Sequence, residues 1–193
     1  MTQAELKNAL LVERRAAYGR LRGGAPILLA GATYWLVLTI AGYLTTGEIW
    51  YYIALFGSGL IFPFAIMYAR LLKNSFMTDR TAVTSVIAPA MIAMLLFWPM
   101  AIAALWEAPE VFPLILAIGL SLHFPVIGWS YGRTFLLTAH AVVRALVVFA
   151  IWALFPEERL TLIPLVVTLA YLVTAMIIWI DSGRFQSGPS KNR

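Results

Sequence analysis

An all-α polytopic membrane protein, a six-transmembrane-helix bundle with a short N-terminal cytoplasmic helix, is the fold class this sequence predicts, and three observations predict it. Of the 193 residues 62% are hydrophobic and 12% charged, with a mean hydropathy of +0.85, against about 45–50% apolar and 25% charged in soluble domains. The apolar residues gather into six runs, each near the ~20 residues that a 30 Å hydrocarbon core asks of a helix. The basic residues collect in alternate connections between those runs. At this length one bundle is expected, with the function in or on it.

Residues 1–23 carry Lys7, Arg14, Arg15, Arg20 and Arg22 among leucines and alanines, good helix formers throughout. Leu6, Leu10, Ala17 and Leu21 share one side, but Leu11 and Val12 do not, so a basic cytoplasmic helix with a moderate interfacial face is expected. The spans follow at 25–44, 49–72, 82–106, 111–131, 134–155 and 162–180, with the whole bundle occupying 24–181. The first run fits an uncleaved span better than a signal peptide. Short connections make sequential helices antiparallel neighbours. Residues 182–193, polar with Gly and Pro, read as a disordered cytoplasmic tail.

Every Lys and Arg except Arg144 and Arg159 falls on one side of this topology, while Glu48, Glu107, Glu110, Glu157 and Glu158 fall on the other. The positive-inside rule then puts both termini in the cytoplasm. Aromatic belts are expected at Tyr43, Trp50, Tyr51, Tyr52 and Trp106 on the outer side, and at Tyr68, Trp129, Tyr131 and Trp179 on the inner.

Composition removes several function classes. The chain holds no cysteine and two histidines, which leaves no thiolate chemistry, no cysteine metal site and too few imidazoles for catalytic zinc. No Asp or Glu falls inside a predicted hydrocarbon segment, so carboxylate dyads and di-metal carboxylate bundles lack their ligands. No GxSxG or HExxH spacing occurs. The expectation is a non-enzyme without cofactor or metal. Although the net charge is +5, the basic residues mark span ends and never cluster on one soluble element, which argues against nucleic acid. Membrane lipids and a small anionic solute are the expected partners, and a homo-oligomer is compatible with the sequence.

Two spans share a pattern. The second reads Gly59-Leu-Ile-Phe-Pro63, then Tyr68-Ala-Arg70; the fourth reads Ser121-Leu-His-Phe-Pro125, then Tyr131-Gly-Arg133. Either the hairpins of spans 1–2 and 3–4 are parallel repeats, or Phe-Pro recurs by chance. Pro63, Pro89, Pro99 and Pro125 place potential kinks in three consecutive spans, where small residues either open a cavity or, as the simpler expectation, improve packing.

The polar residues inside the fourth and fifth spans mark the place to look, because a charge at a membrane helix centre costs about 2.5–3.5 kcal/mol on insertion scales. His140 and Arg144 are one turn apart on one face. Gly119, His123, Ile127 and Ser130 form a stripe on the fourth span, and Ser121 and Arg144 lie at similar depth on either side of the Arg133 turn. Pro125 has no N–H, so the Ser121 carbonyl loses its helical donor, and Arg144 is placed to supply one. Two readings stay open. Arg144 is either a helix cross-link alone, or, with no carboxylate to neutralise it, the centre of a pocket for a small anionic solute or lipid headgroup lined by His123, His140, Ser121 and Ser130. A non-transporting scaffold or accessory subunit is the alternative function.

The Glu13-Arg14-Arg15 leader, Phe56-Gly-Ser-Gly-Leu-Ile-Phe-Pro-Phe-Ala65 and Leu122-His-Phe-Pro-Val-Ile-Gly-Trp-Ser-Tyr-Gly-Arg133 together resemble an uncharacterised bacterial family of small multi-pass membrane proteins, a domain of unknown function. The resemblance implies a bacterial inner-membrane protein and brings no catalytic residues.

Overall fold

The computed structural model describes residues 1–75 and 78–185 as helices joined by turns, with no strand among them. Six helices are long and apolar enough to cross a membrane, namely Arg22–Leu44, Gly47–Leu71, Thr84–Glu107, Pro109–Ser130, Thr134–Leu154 and Pro156–Gly183, the first to sixth spans below. Ahead of them stands the N-terminal helix, Gln3–Arg20, opened by a capping box in which Thr2 Oγ1 accepts the Glu5 N–H and Glu5 Oε2 accepts the Thr2 N–H. Arg22, Gly23 and Gly24 follow with φ of 45°, 58° and 77°, a left-handed run that turns the chain into the first span. At Gly23 a Cβ would lie 2.4 Å from Ile178 and 2.5 Å from the Tyr18 ring, so the turn is packed as tightly as it is bent.

Both described ends of the chain lie at the same end of the bundle, the basic end, and the N-terminal helix is fastened there. Ala17, Tyr18 and Leu21 are buried, and Tyr18 meets the rings of Tyr131 and Phe185. Arg14 donates through Nε to the Trp129 carbonyl and lies 4.6 Å over the Trp129 ring. Arg133 pairs with Asp181 at 2.6 Å, and Arg22 stacks on Trp179 at 4.1 Å. The sixth helix runs to Gly183, and Ser182 is fully buried. The expected tail therefore starts later than residue 182, and its residues 186–193 lie outside the described part.

The first span packs most extensively on the sixth and then on the second, the fourth on the fifth, and the third on the fourth. The first and fourth spans are the most buried, the second and third the least. The second and third spans make no extensive contact with one another. The expected hairpin pairing fails at this one connection, residues 72–83, which is the longest between spans and long enough to let its helices part.

Three consecutive spans break ahead of a proline. The second passes through a 3₁₀ turn at Ser58–Leu60 before Pro63, the third changes helix between Leu95 and Trp98 before Pro99, and the fourth stops at Gly119 and resumes at Phe124 before Pro125. Each proline withholds the N–H that the carbonyl four residues earlier would have accepted, so the helix re-pairs or stops there. The bundle perimeter carries exposed apolar side chains such as Leu36, Ile40, Leu146 and Val173, as a lipid-facing surface requires. Two residues assigned to the aromatic belts belong instead to the core. Trp50 is fully buried and donates to the Leu38 carbonyl at 2.9 Å, and Tyr131 is 1% exposed.

Candidate functional site

The break in the fourth span organises the polar interior. Past Gly119 the backbone tightens, with Ser121 N–H donating to the Ile118 carbonyl at 2.9 Å, Leu122 to Gly119 at 3.2 Å and Phe124 to Ser121 at 3.0 Å. The Ser121 carbonyl thus finds its donor locally. The orphan is the Ala117 carbonyl, whose normal partner, the Ser121 N–H, has turned away. Arg144 fills that vacancy from the fifth span, its Nη2 donating to Ala117 at 2.9 Å. The expected cross-link exists, but one turn earlier than the sequence placed it.

Arg144 is 2% exposed and joins no ion pair among the described residues. Its charge faces the C-terminal end of the Phe112–Gly119 half-helix, where unpaired carbonyls concentrate negative potential. Two aromatic faces flank it, Tyr171 at 5.1 Å and Phe124 at 5.7 Å, each an electrostatic partner for a desolvated guanidinium. Arg144 Nε and Nη1 remain buried without a hydrogen-bond partner.

Around this charge the structure gathers two of the other four residues the sequence singled out, His140 and His123. His140 shares a 2.7 Å hydrogen bond between Nδ1 and Thr174 Oγ1 of the sixth span, and its ring stands against Phe124 and Tyr171. His123 stacks on Phe124 with centroids 4.5 Å apart. Ser121 and Ser130 have turned inward on their own helix, donating to the Ile118 carbonyl at 2.6 Å and the Ile127 carbonyl at 2.8 Å. Ser130 sits about 10 Å of helical rise from His123, toward the basic end, and is outside the cluster.

The open space lies on the other side of the fourth span. A cavity of about 1280 Å³ separates the second and third spans, with the fourth span, the start of the first and Tyr171 forming its floor. Its walls are apolar, Phe56 and Phe62 facing Met91 and Leu95 across the gap, and all but Met91 of these are exposed. His123 and Phe124 reach this cavity from the fourth span; Arg144, His140, Ser121 and Ser130 do not line it. The prolines and small residues of these spans were compatible with either a cavity or improved packing, and the expectation of improved packing does not hold between the second and third spans.

At the basic end of the cavity stand Asp79, Arg80 and Thr84, a group that periodicity alone did not single out. Asp79 is nearly buried and pairs with Arg20 Nε at 2.9 Å, and this hydrogen bond raises the Arg20 guanidinium above its ordinary value. Asn74 Nδ2 donates to the Leu21 carbonyl at 2.9 Å. The connection between the second and third spans is thereby tied to the end of the N-terminal helix. Among the described residues no three metal-ligating side chains come together.

The architecture and its interior define an all-α polytopic membrane bundle with an interrupted fourth helix and a side opening. The chain belongs to a family of unknown function (DUF7010), whose pattern covers residues 13–181. No curated protein and no solved structure matches it.

Proposed function

We propose that this protein is a non-enzymatic lipid-binding protein of the bacterial inner membrane, with both termini in the cytoplasm, whose crevice admits a long-chain amphiphile from the bilayer between the second and third spans. The cavity carries the reading. It is large enough for much of a lipid, walled by apolar side chains, and open where two weakly packed helices stand apart. Lipid-sized pockets of this kind need few polar groups, and this one has them at its basic end and its floor. Arg144 itself acts as a helix fastener in this scheme: its one hydrogen bond goes to protein, and it does not line the cavity. That same bond is the observation favouring the scaffold reading, in which the polar interior only locks helices together.

Lipid retention separates the two readings. At Gly59, on the second-span wall of the cavity, a Cβ meets nothing within 4 Å, so Gly59→Trp adds bulk at the crevice wall from a position with room for a side chain. Native mass spectrometry of protein released from defined nanodiscs is expected to show lipid retained by wild type and lost from Gly59→Trp, with unfolding temperature unchanged. Equal retention by both proteins ends the crevice reading.

Orientation is checked by reporters. Fusions after Arg193 and in the 73–81 segment are expected to report the cytoplasm, and one at 157–159 the external side, as the charge distribution directs. An external C-terminus would overturn the placement.

A further inference from the structure

We infer that the crevice selects a long-chain lipid with an uncharged, oxygen-bearing head, a hydroxyl or carbonyl rather than a phosphate, and that His123 is the residue that recognises it. The inference rests on the lipid-binding reading above and adds the chemistry of the ligand.

Three observations carry it. His123 is 5% exposed and lines the cavity, yet its imidazole makes no hydrogen bond among the described residues, and its Nδ1 is buried without a partner. Buried imidazoles normally satisfy their nitrogens; His140 does so at Nδ1 with Thr174 and leaves Nε2 unpartnered, whereas His123 is satisfied at neither. Among the described residues His123 Nε2 has no partner either and, unlike Nδ1, is not sealed in the wall, so it is the nitrogen that a group from outside the chain can reach.

Depth is the second observation. His123 precedes the end of the fourth span at Ser130 by about 10 Å of helical rise, in the middle third of a ~30 Å hydrocarbon core. A phosphate brought to that depth would leave water without a counter-charge. The third observation is the wall itself. Its charged side chains, Asp79 and Arg80, stand at the basic end, and Asp79 is already paired with Arg20; beside His123 on the fourth span the lining is Leu120, Phe124 and Ile127. Arg144, the nearest cation, is held behind Phe124 on the Ala117 carbonyl. An uncharged imidazole offers one donor and one acceptor, which suits a lipid alcohol or a carbonyl, and the aromatic neighbours favour a head that carries no ionic hydration shell.

The experiment is competitive photo-crosslinking in phosphatidylcholine nanodiscs, with photoactivatable diacylglycerol, polyprenol and a long-tailed quinone as uncharged probes and photoactivatable phosphatidylglycerol as the charged one. Wild type is expected to capture at least one uncharged probe about tenfold more than phosphatidylglycerol, the factor one net hydrogen bond supplies. Comparison of the three uncharged probes distinguishes acyl from isoprenoid chains. His123→Phe keeps a ring but no hydrogen bond and should lose the preference while still capturing lipid; His123→Gln keeps a donor and an acceptor and should retain most of it. Equal capture of charged and uncharged probes by wild type, or an undiminished preference in His123→Phe, overturns the inference. Gly59→Trp tells the two levels apart: if it abolishes capture while wild type shows no preference, only the headgroup assignment falls, and if it changes nothing, the crevice itself is not the binding site.

Discussion

Arg144→Lys is expected to destabilise the bundle by about 3–5 kcal/mol, more than Arg144→Met, although lysine keeps the charge and methionine discards it. The guanidinium in the native fold stands between two aromatic faces and reaches the Ala117 carbonyl with one nitrogen. An ammonium is shorter in reach and cannot stack, so it leaves both the carbonyl and itself unsatisfied in an apolar interior. Methionine fills similar volume and leaves only the carbonyl unpaired, about 1–3 kcal/mol, while relieving the comparable cost of holding a charge in the membrane interior. Arg144→Ala adds a cavity to the unpaired carbonyl and should fall near the lysine variant, in the range of about 2–5 kcal/mol for large-to-small changes. Denaturant titration of the purified variants in mixed micelles measures the order. A stable lysine variant beside a collapsed methionine variant would show that the charge, and not the shape, is what the core requires.

Gly42→Leu should cost about 3 kcal/mol or more, the upper end of overpacking penalties. A Cβ at Gly42 would lie 2.2 Å from the Leu160 carbonyl oxygen and 2.9 Å from its carbon. The obstacle is backbone of the sixth span, which cannot turn aside as a side chain can. Because the first and sixth spans form the most extensive helix pair in the bundle, prying them apart at one end loosens contacts along much of their length. The close approach is what small residues permit in membranes, where packing replaces the hydrophobic effect as the force between helices. Even Gly42→Ala should lower the unfolding midpoint, whereas Gly59→Ala, facing open space, should leave it unchanged or slightly raised. If Gly42→Ala melts with wild type, the interface there is looser than described.

What could be read from the sequence follows from what one dimension can encode. Five of the six spans were legible to within three residues because hydrocarbon thickness dictates their length, while the sixth begins at Pro156, six residues before the expected start; the N-terminal helix was legible because its residues favour helix throughout. The kind of contact Arg144 makes was legible from the missing N–H of Pro125; its partner was not, because a broken helix re-pairs through shorter turns that shift the orphan carbonyl from Ser121 to Ala117. The bond from His140 to Thr174 went unread because a threonine in an apolar run gives no periodic signal. The crevice was least legible. Whether the second and third spans close on each other depends on how each packs against the first and fourth, and no local pattern states that. Trp50 and Tyr131 show the same limit, since position near a span end suits a belt residue and a core residue equally.

The isolation of Arg144 has a consequence for permeability. Every Asp and Glu of the spans lies in a terminal turn, so a fixed positive charge sits at mid-depth with dipoles and rings around it but no anion. At an effective dielectric of ~20, such a charge opposes another cation 10 Å away by about 1.7 kcal/mol. Hydronium and metal cations moving along the bundle axis meet that barrier, whereas an uncharged molecule sliding in from the side does not. On the proposed lateral route an uncharged lipid is thus unopposed by the charge that works against a cation crossing the bundle at the same depth.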